Sequence, residues 1–347
     1  MLAVAAMASC AKSELAERPA AAGEVELKFG SAAIETRTPF IGTIDSNNKL
    51  TAQVLVSTVT NTYFQSTGTG FYANDTVTFE DEMNAYGFDT PVYYPADGST
   101  LYLVGLYPKD GGDYGSWSYD TAGTYVQHAI DGKTDLMFAE EKTTDKAAAQ
   151  SGTYPKLSFN HLLTKYVIVT KAENQAAVDA WGKITKIELV KEWNNVDPKN
   201  SCMVTFGTPA ATPSFSGTGA IKFYLCSGGT TAPTALTVYT DDEIGQKGDS
   251  DYITLDPTDA AVSAYAIVAP IEPTDGSDYI TLKVYSEKLT AGQEVKVNLK
   301  KNSSTPVTGS TAGHTYTITL TFKATELKVE GEVTDWKDGG TGEAEIK

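Results

Sequence analysis

Apolar and polar residues alternate with a period of two along most of the chain. In "HTYTITLTFKATELKVEGEV", Tyr316, Ile318, Leu320 and Phe322 alternate with four threonines. Val295, Val297 and Leu299 repeat the pattern in "EVKVNL", and Leu50, Ala52, Val54 and Val56 in "LTAQVLVS". Near the start, Val25, Leu27 and Phe29 alternate with Glu24, Glu26 and Lys28 in "GEVELKFG". A period of two places one set of side chains on each face of a strand, so each stretch predicts a half-buried β-strand. "LYLVGLYP" and "TDLMFAEE" predict further short strands, and "KLSFNHLLTKYVIVT" sets Leu157, Phe159, His161 and Leu163 on one face. Turn residues in "ADGS", "DGG", "IDGK", "SGG" and "TDGS" punctuate the runs. A helical pattern appears in "AENQAAVDAWGK" (172–183), with a second short candidate near Ala147 to Ala149. The expectation is an all-β protein with little helix, built as two antiparallel β-sandwich domains in tandem. Their boundary is expected near residue 165, giving an N-terminal domain at 38–164 and a C-terminal domain at 165–347. "SDYITL" occurs at 250–255 and again at 277–282, an interval that suits two strands of one domain.

The length of 347 residues suffices for one large or two ordinary domains with real cores. Charge narrows the partners. The net charge is -17, and from Thr38 onward 23 lysines face 39 acids, or -16. Such a surface repels nucleic acid and anionic lipid, which excludes both as partners of the folded part. No apolar run of 18 residues exists to form a membrane-spanning helix.

Candidate chemistry is sparse. The three histidines, His128, His161 and His314, form no HExxH, and no GxSxG or phosphate-binding Gly-rich loop opens a helix. His161 reads as a core or interface histidine and His314 as an exposed one. No Cys or His spacing predicts a metal site, so no catalytic residue, metal or other cofactor is expected, and the chain reads as a non-enzyme. Cys202 and Cys226 lie 24 apart and suit either a disulfide in an exported protein or two buried free thiols. The acidic stretches "YTDDEIGQKGDSDY" and "PTDGSDY" read as solvated loops rather than calcium sites. Tyr93, Tyr94, Trp117 and Trp193 would form a sugar platform if exposed, and otherwise belong to sheet faces.

Arginine is distributed unevenly. The chain has two, Arg18 and Arg37, and none from Thr38 to the end. The plain alternative is a lysine-rich composition. A protease pocket distinguishes the planar Arg fork from the Lys ammonium, so an Arg-specific enzyme would cut near the N-terminus and spare the rest. Upstream, "MLAVAAMASC" ends in small residues before a cysteine, and "MASCAKSE" resembles a bacterial lipoprotein signal. It implies lipidation at Cys10, followed by a flexible tether over 11–23. The charged segment that usually precedes such a signal is missing, which places the expected start codon upstream of Met1.

Together, "MASCAKSE", the early strand, the lone Arg37, "LSFNHLLTKYVIV" and the closing "TYTITLTFKATELKVEGEVTDW" resemble the fimbrillins, pilus subunits of Bacteroidales. The resemblance spans nearly the whole chain. It implies two transthyretin-like β-sandwich domains and export to the outer membrane as a lipoprotein carrying acyl chains such as palmitate. It further implies cleavage between Arg37 and Thr38 by an Arg- or Lys-specific surface protease. Residues 1–37 would then be a propeptide whose strand, with Val25, Leu27 and Phe29, is removable. The mature protein would join other pilin subunits in a cell-surface fimbrium, a donated strand filling the vacated groove. The candidate donor residues are Leu327, Val329, Val333, Ala344 and Ile346. The expected function is therefore a structural pilin, and the alternative is a non-polymerising surface lipoprotein that binds glycans. Host or bacterial surface ligands are not specified by the sequence.

Overall fold

The computed structural model describes residues 23–30, 33–34, 49–63, 71–79, 85–111, 115–207, 212–226, 252–272, 279–301, 305–307, 309–325, 327–334 and 343–344. The first half of the chain contributes β1 (Ala33–Ile34), β2 (Leu50–Ser57), β3 (Phe71–Phe79), β4 (Leu101–Tyr107), β5 (Ser118–Tyr119), β6 (Tyr125–Ala129), β7 (Met137–Thr144), α1 (Lys146–Gln150) and β8 (Ser158–His161). The second half contributes β9 (Thr164–Ala172), α2 (Gln175–Trp181), β10 (Ile184–Lys191), β11 (Ser201–Thr205), β12 (Thr212–Ser216), β13 (Ile221–Lys222) and β14 (Tyr224–Leu225). It continues with β15 (Ala261–Val268), β16 (Tyr279–Ser286), β17 (Gln293–Lys301), β18 (Thr305–Pro306), β19 (Thr315–Phe322), β20 (Leu327–Thr334) and β21 (Glu343–Ala344). The all-β expectation holds. Both expected helices are present and short, each opened by a polar cap: Asp145 accepts from the Ala148 amide and Asn174 from the Ala177 amide.

Among the described residues three sheets form. One runs β1-β8-β7-β4-β2-β3, a second runs β13-β10-β16-β17-β20-β19-β9-β15-β14, and a third runs β12-β11-β6-β5. Most pairs are antiparallel, as expected. Three are parallel: β1 with β8, β9 with β19, and β17 with β20.

The cores follow from the strand faces. Leu50, Ala52, Val54 and Val56 of β2 share a core with Leu101, Leu103, Met137 and Phe159. Tyr166 and Ile168 of β9 share a second core with Ile187, Leu282, Val297, Ile318 and Leu320, so both ends of the long sheet cover the same interior. These cores lie on either side of the crossing at Leu162 and Leu163, where the chain leaves the first sheet for the second.

A third core joins the two halves. Leu55, Val104, Leu106 and Phe138, from the opposite face of the first sheet, pack with Val167, Tyr265 and Ile267 of the second. β2 therefore buries both faces, which is why Leu55 is as inaccessible as Val54. The cover over this core is the third sheet, where β11 of the second half pairs with β6 of the first in the register Cys202 to His128 and Val204 to Val126. The hairpin β11–β12 thus crosses the boundary expected near residue 165.

Candidate functional site

The segment 23–30 lies along residues 86–94. The Leu27 amide donates to the Val92 carbonyl at 2.7 Å, the Phe29 and Tyr86 amides exchange hydrogen bonds at 2.8 Å each, and the Tyr94 amide donates to the Val25 carbonyl at 2.9 Å. Only two bridges form, Glu26 with Tyr93 and Phe29 with Tyr86, both antiparallel. The opposing stretch is interrupted by "GFDTP", where the Asp89 amide turns away to the Thr76 carbonyl of β3 and Pro91 lacks a donor.

Alternation decides which side chains enter the core. Leu27 and Phe29 are fully buried, and Val25 packs partly buried against the same cluster. Outward, Lys28 and Glu26 form a 3.2 Å ion pair. The Phe29 ring meets Phe79 and Phe88 edge-on, and Phe79 in turn meets Tyr86 and Phe159. Full burial of side chains this size stabilises by roughly 1.5–3 kcal/mol each. Just beyond, the Gly30 amide donates to the Pro155 carbonyl at 2.9 Å, and β1 pairs in parallel with Ser158 and Phe159 of β8 at the edge of the first sheet. Arg37 follows Ile34 by three positions. Arg37, Thr38 and Cys10 lie outside the described residues.

The C-terminal candidates occupy a different setting. β20, which carries Leu327, Val329 and Val333, lies inside the long sheet. It pairs with β19 along its whole length, from Thr315 opposite Thr334 to Phe322 opposite Leu327, and touches β17 through Leu299 to Gly331 and Lys300 to Glu332. β21 adds to it with Ala344 opposite Val329. Ile346 lies outside the described residues. Donation of β20 would therefore require it to leave a place it already fills.

The remaining candidates are structural. Cys202 and Cys226 are both buried and are not joined in a disulfide in this structure, and burial pushes the Cys202 thiol up to about 12. His161, buried, makes a 2.5 Å contact through Nδ1 with Asp135 Oδ2. His128 is buried beside Trp117. His314 is half-buried rather than exposed, because its carbonyl accepts from the Thr164 hydroxyl and the Lys165 amide where β9 begins. Tyr94, Trp117 and Trp193 are buried, with Trp117 Nε1 donating to the Pro108 carbonyl and Trp193 Nε1 to the Val307 carbonyl. Tyr93 is half-buried. These four rings make no exposed sugar platform. Among the described residues no group of His, Cys, Asp or Glu is arranged to hold a metal, and no helix is long and apolar enough to cross a membrane. The acidic stretches at 239–252 and 273–279 lie outside the described residues, except Tyr252 and Tyr279.

One buried group escaped the sequence reading. Glu192 sits at the end of β10, 1% exposed, and neither carboxylate oxygen has a hydrogen-bond partner among the described residues. Burial raises it to about 8, partly offset by Lys199. The neighbouring Tyr166 hydroxyl is held well above the ordinary tyrosine value, first by its own burial and then by the nearby Glu192. No periodicity marks such a position, because a Glu after a strand ordinarily reads as solvated.

The model of the fimbrillin-like family matches residues 36–336. A solved structure of a protein described as a cell adhesion protein from Bacteroides uniformis shares the fold at TM-score 0.51 and 18% identity, covering 91% of this chain and 98% of that one. A fimbrial assembly protein from Parabacteroides distasonis aligns at TM-score 0.40 and 11% identity, over 93% and 99% of the two chains. The fimbrial anchor protein Mfa2 from Porphyromonas gingivalis aligns at 0.38 and 10%, over 91% and 99%. Among curated proteins none matches. With the family model spanning most of its length, this chain belongs to the fimbrillin-like family.

Proposed function

We propose that the protein is a structural subunit of an adhesive fimbrium, exported as a lipoprotein through Cys10, matured by cleavage after Arg37 and joined to other subunits by strand exchange. Its role is assembly rather than catalysis. The observation that carries this reading is the seat of residues 23–30. They bury Leu27 and Phe29 in the core yet are held by interrupted bridges, and the second of the chain's two arginines follows them.

Cleavage after Arg37 would turn residues 23–34 into a separate chain. Its departure would uncover the carbonyls of Tyr86 and Val92, the edge of β8 and the apolar seats of Leu27 and Phe29. Unpaired edges beside an apolar groove are a template for an incoming strand. A strand given by one subunit to the next makes a contact that does not close, which is the geometry of a filament. The outer membrane is the expected site of the lipidated precursor and the fimbrium that of the mature chain.

The test is digestion of the purified chain with an Arg-specific protease, followed by mass measurement and electron microscopy with partner subunits present. A single resistant product beginning at Thr38, which enters filaments, is expected, and Arg37→Ala should abolish both. A native chain that resists the cut, or a cut chain that never enters a filament, overturns the reading.

A further inference from the structure

The groove beneath residues 23–30 is specific in chemistry, and its shape bears on which strand can refill it. The inference rests on the strand-exchange reading above. The seat of Phe29 is aromatic on several sides: its ring stands 5.2 Å from Phe88 at 79° and 6.3 Å from Phe79 at 78°. Tyr86 and Phe159 back Phe79 at 5.2 and 6.5 Å. Edge-to-face contacts of this kind require a ring, and an aliphatic side chain leaves part of the seat empty. Two positions earlier Leu27 is fully buried in the same core. After Phe29 the backbone runs close to residues 154–156, where a Cβ on Gly30 would meet Lys156 Cγ at 3.0 Å. The seat therefore accepts an aliphatic residue, an aromatic one two positions on, and a small residue immediately after it.

Neither C-terminal candidate of this chain offers that pattern. "LKVEGEVT" presents Leu327, Val329 and Gly331, or Val329, Gly331 and Val333, at alternate positions. "EAEIK" presents Ala344 and Ile346. The single aromatic residue after Leu327 is Trp336, and the alternate positions before it are Thr334 and Glu332. β20 is in addition engaged along its length by β19.

We propose that the groove selects a strand from a different kind of subunit, one carrying an aromatic residue at the place of Phe29, and rejects this chain's own C-terminal segment. This protein then joins a mixed fibre and does not polymerise with itself.

Two measurements test this. In the first, the full chain is cut after Arg37 and incubated with synthetic peptides, and native mass spectrometry reads which peptide replaces the released segment. The peptide of residues 23–30 should be retained at least tenfold better than its Phe29→Ala form and than peptides of residues 327–334 or 343–347. Equal retention of the 327–334 peptide overturns the selectivity while leaving strand exchange standing; no retention of any peptide overturns strand exchange and the selectivity with it. The second measurement needs no cleavage. Leu27→Gly, Lys28→Glu and Phe29→Val together convert residues 25–29 into the sequence of residues 329–333. The uncut triple variant should melt well below wild type, and below the Leu27→Gly, Lys28→Glu double variant that keeps the ring. Equal melting of the double and triple variants overturns the aromatic requirement.

Discussion

Phe29 and Phe88 meet edge to face, with ring centroids 5.2 Å apart and planes at 79°. The contact joins a segment that precedes Arg37 to a residue well inside the first half of the chain. Phe29→Ala in the uncut chain should cost about 3–5 kcal/mol, the range for removing a fully buried ring. Urea denaturation would measure it. A loss below about 1 kcal/mol would mean that the segment contributes little to the precursor's core.

Glu192 makes stability depend on pH. Its folded carboxyl holds its proton up to about 8, because burial penalises the charge, whereas an unfolded glutamate releases it near 4.5. Between these values the folded state binds the extra proton, so stability should fall as pH rises, by at most about 1.4 kcal/mol per unit, and level off above 8. Glu192→Gln should abolish this slope and raise the melting temperature at neutral pH. Melting curves from pH 4.5 to 9 decide the matter, and an unchanged slope in the variant would locate the dependence elsewhere.

Cys202 should be inert while the protein is folded. The thiolate is the reactive form, and burial pushes this thiol up to about 12, so little thiolate exists at pH 8. Alkylation followed by mass spectrometry should label Cys202 only after denaturant is added. Rapid labelling of the native protein would show that the β11–β6 pair opens readily.

The shared core predicts that the halves depend on each other. Phe206, from the second half, meets Tyr63 at 4.8 Å and Phe138 at 6.2 Å. A fragment ending at residue 164 lacks the hairpin β11–β12 and leaves Leu55, Val104 and Phe138 uncovered on one face. It should bind hydrophobic dye and show poor near-UV dichroism, while the full chain melts in one transition. A fragment with native-like spectra would show that the first sheet tolerates an open face.

Much of the fold is written locally. A period of two needs only near neighbours, so β2, β17 and β19 and their inward residues are legible in the chain, as are the polar caps that open α1 and α2. The burial of Leu27 and Phe29 is legible for the same reason. The pairing of distant strands is not. Nothing in "SCMVT" points to β6, because strand partners are chosen by the packing of whole sheets, and a face covered from afar reads in sequence like one left in water. The same cause hid Glu192, whose burial is imposed by its surroundings. It also decided the place of β20: its alternation suits either a central strand or a donor, and only pairing with β19 and β17 puts it inside the sheet.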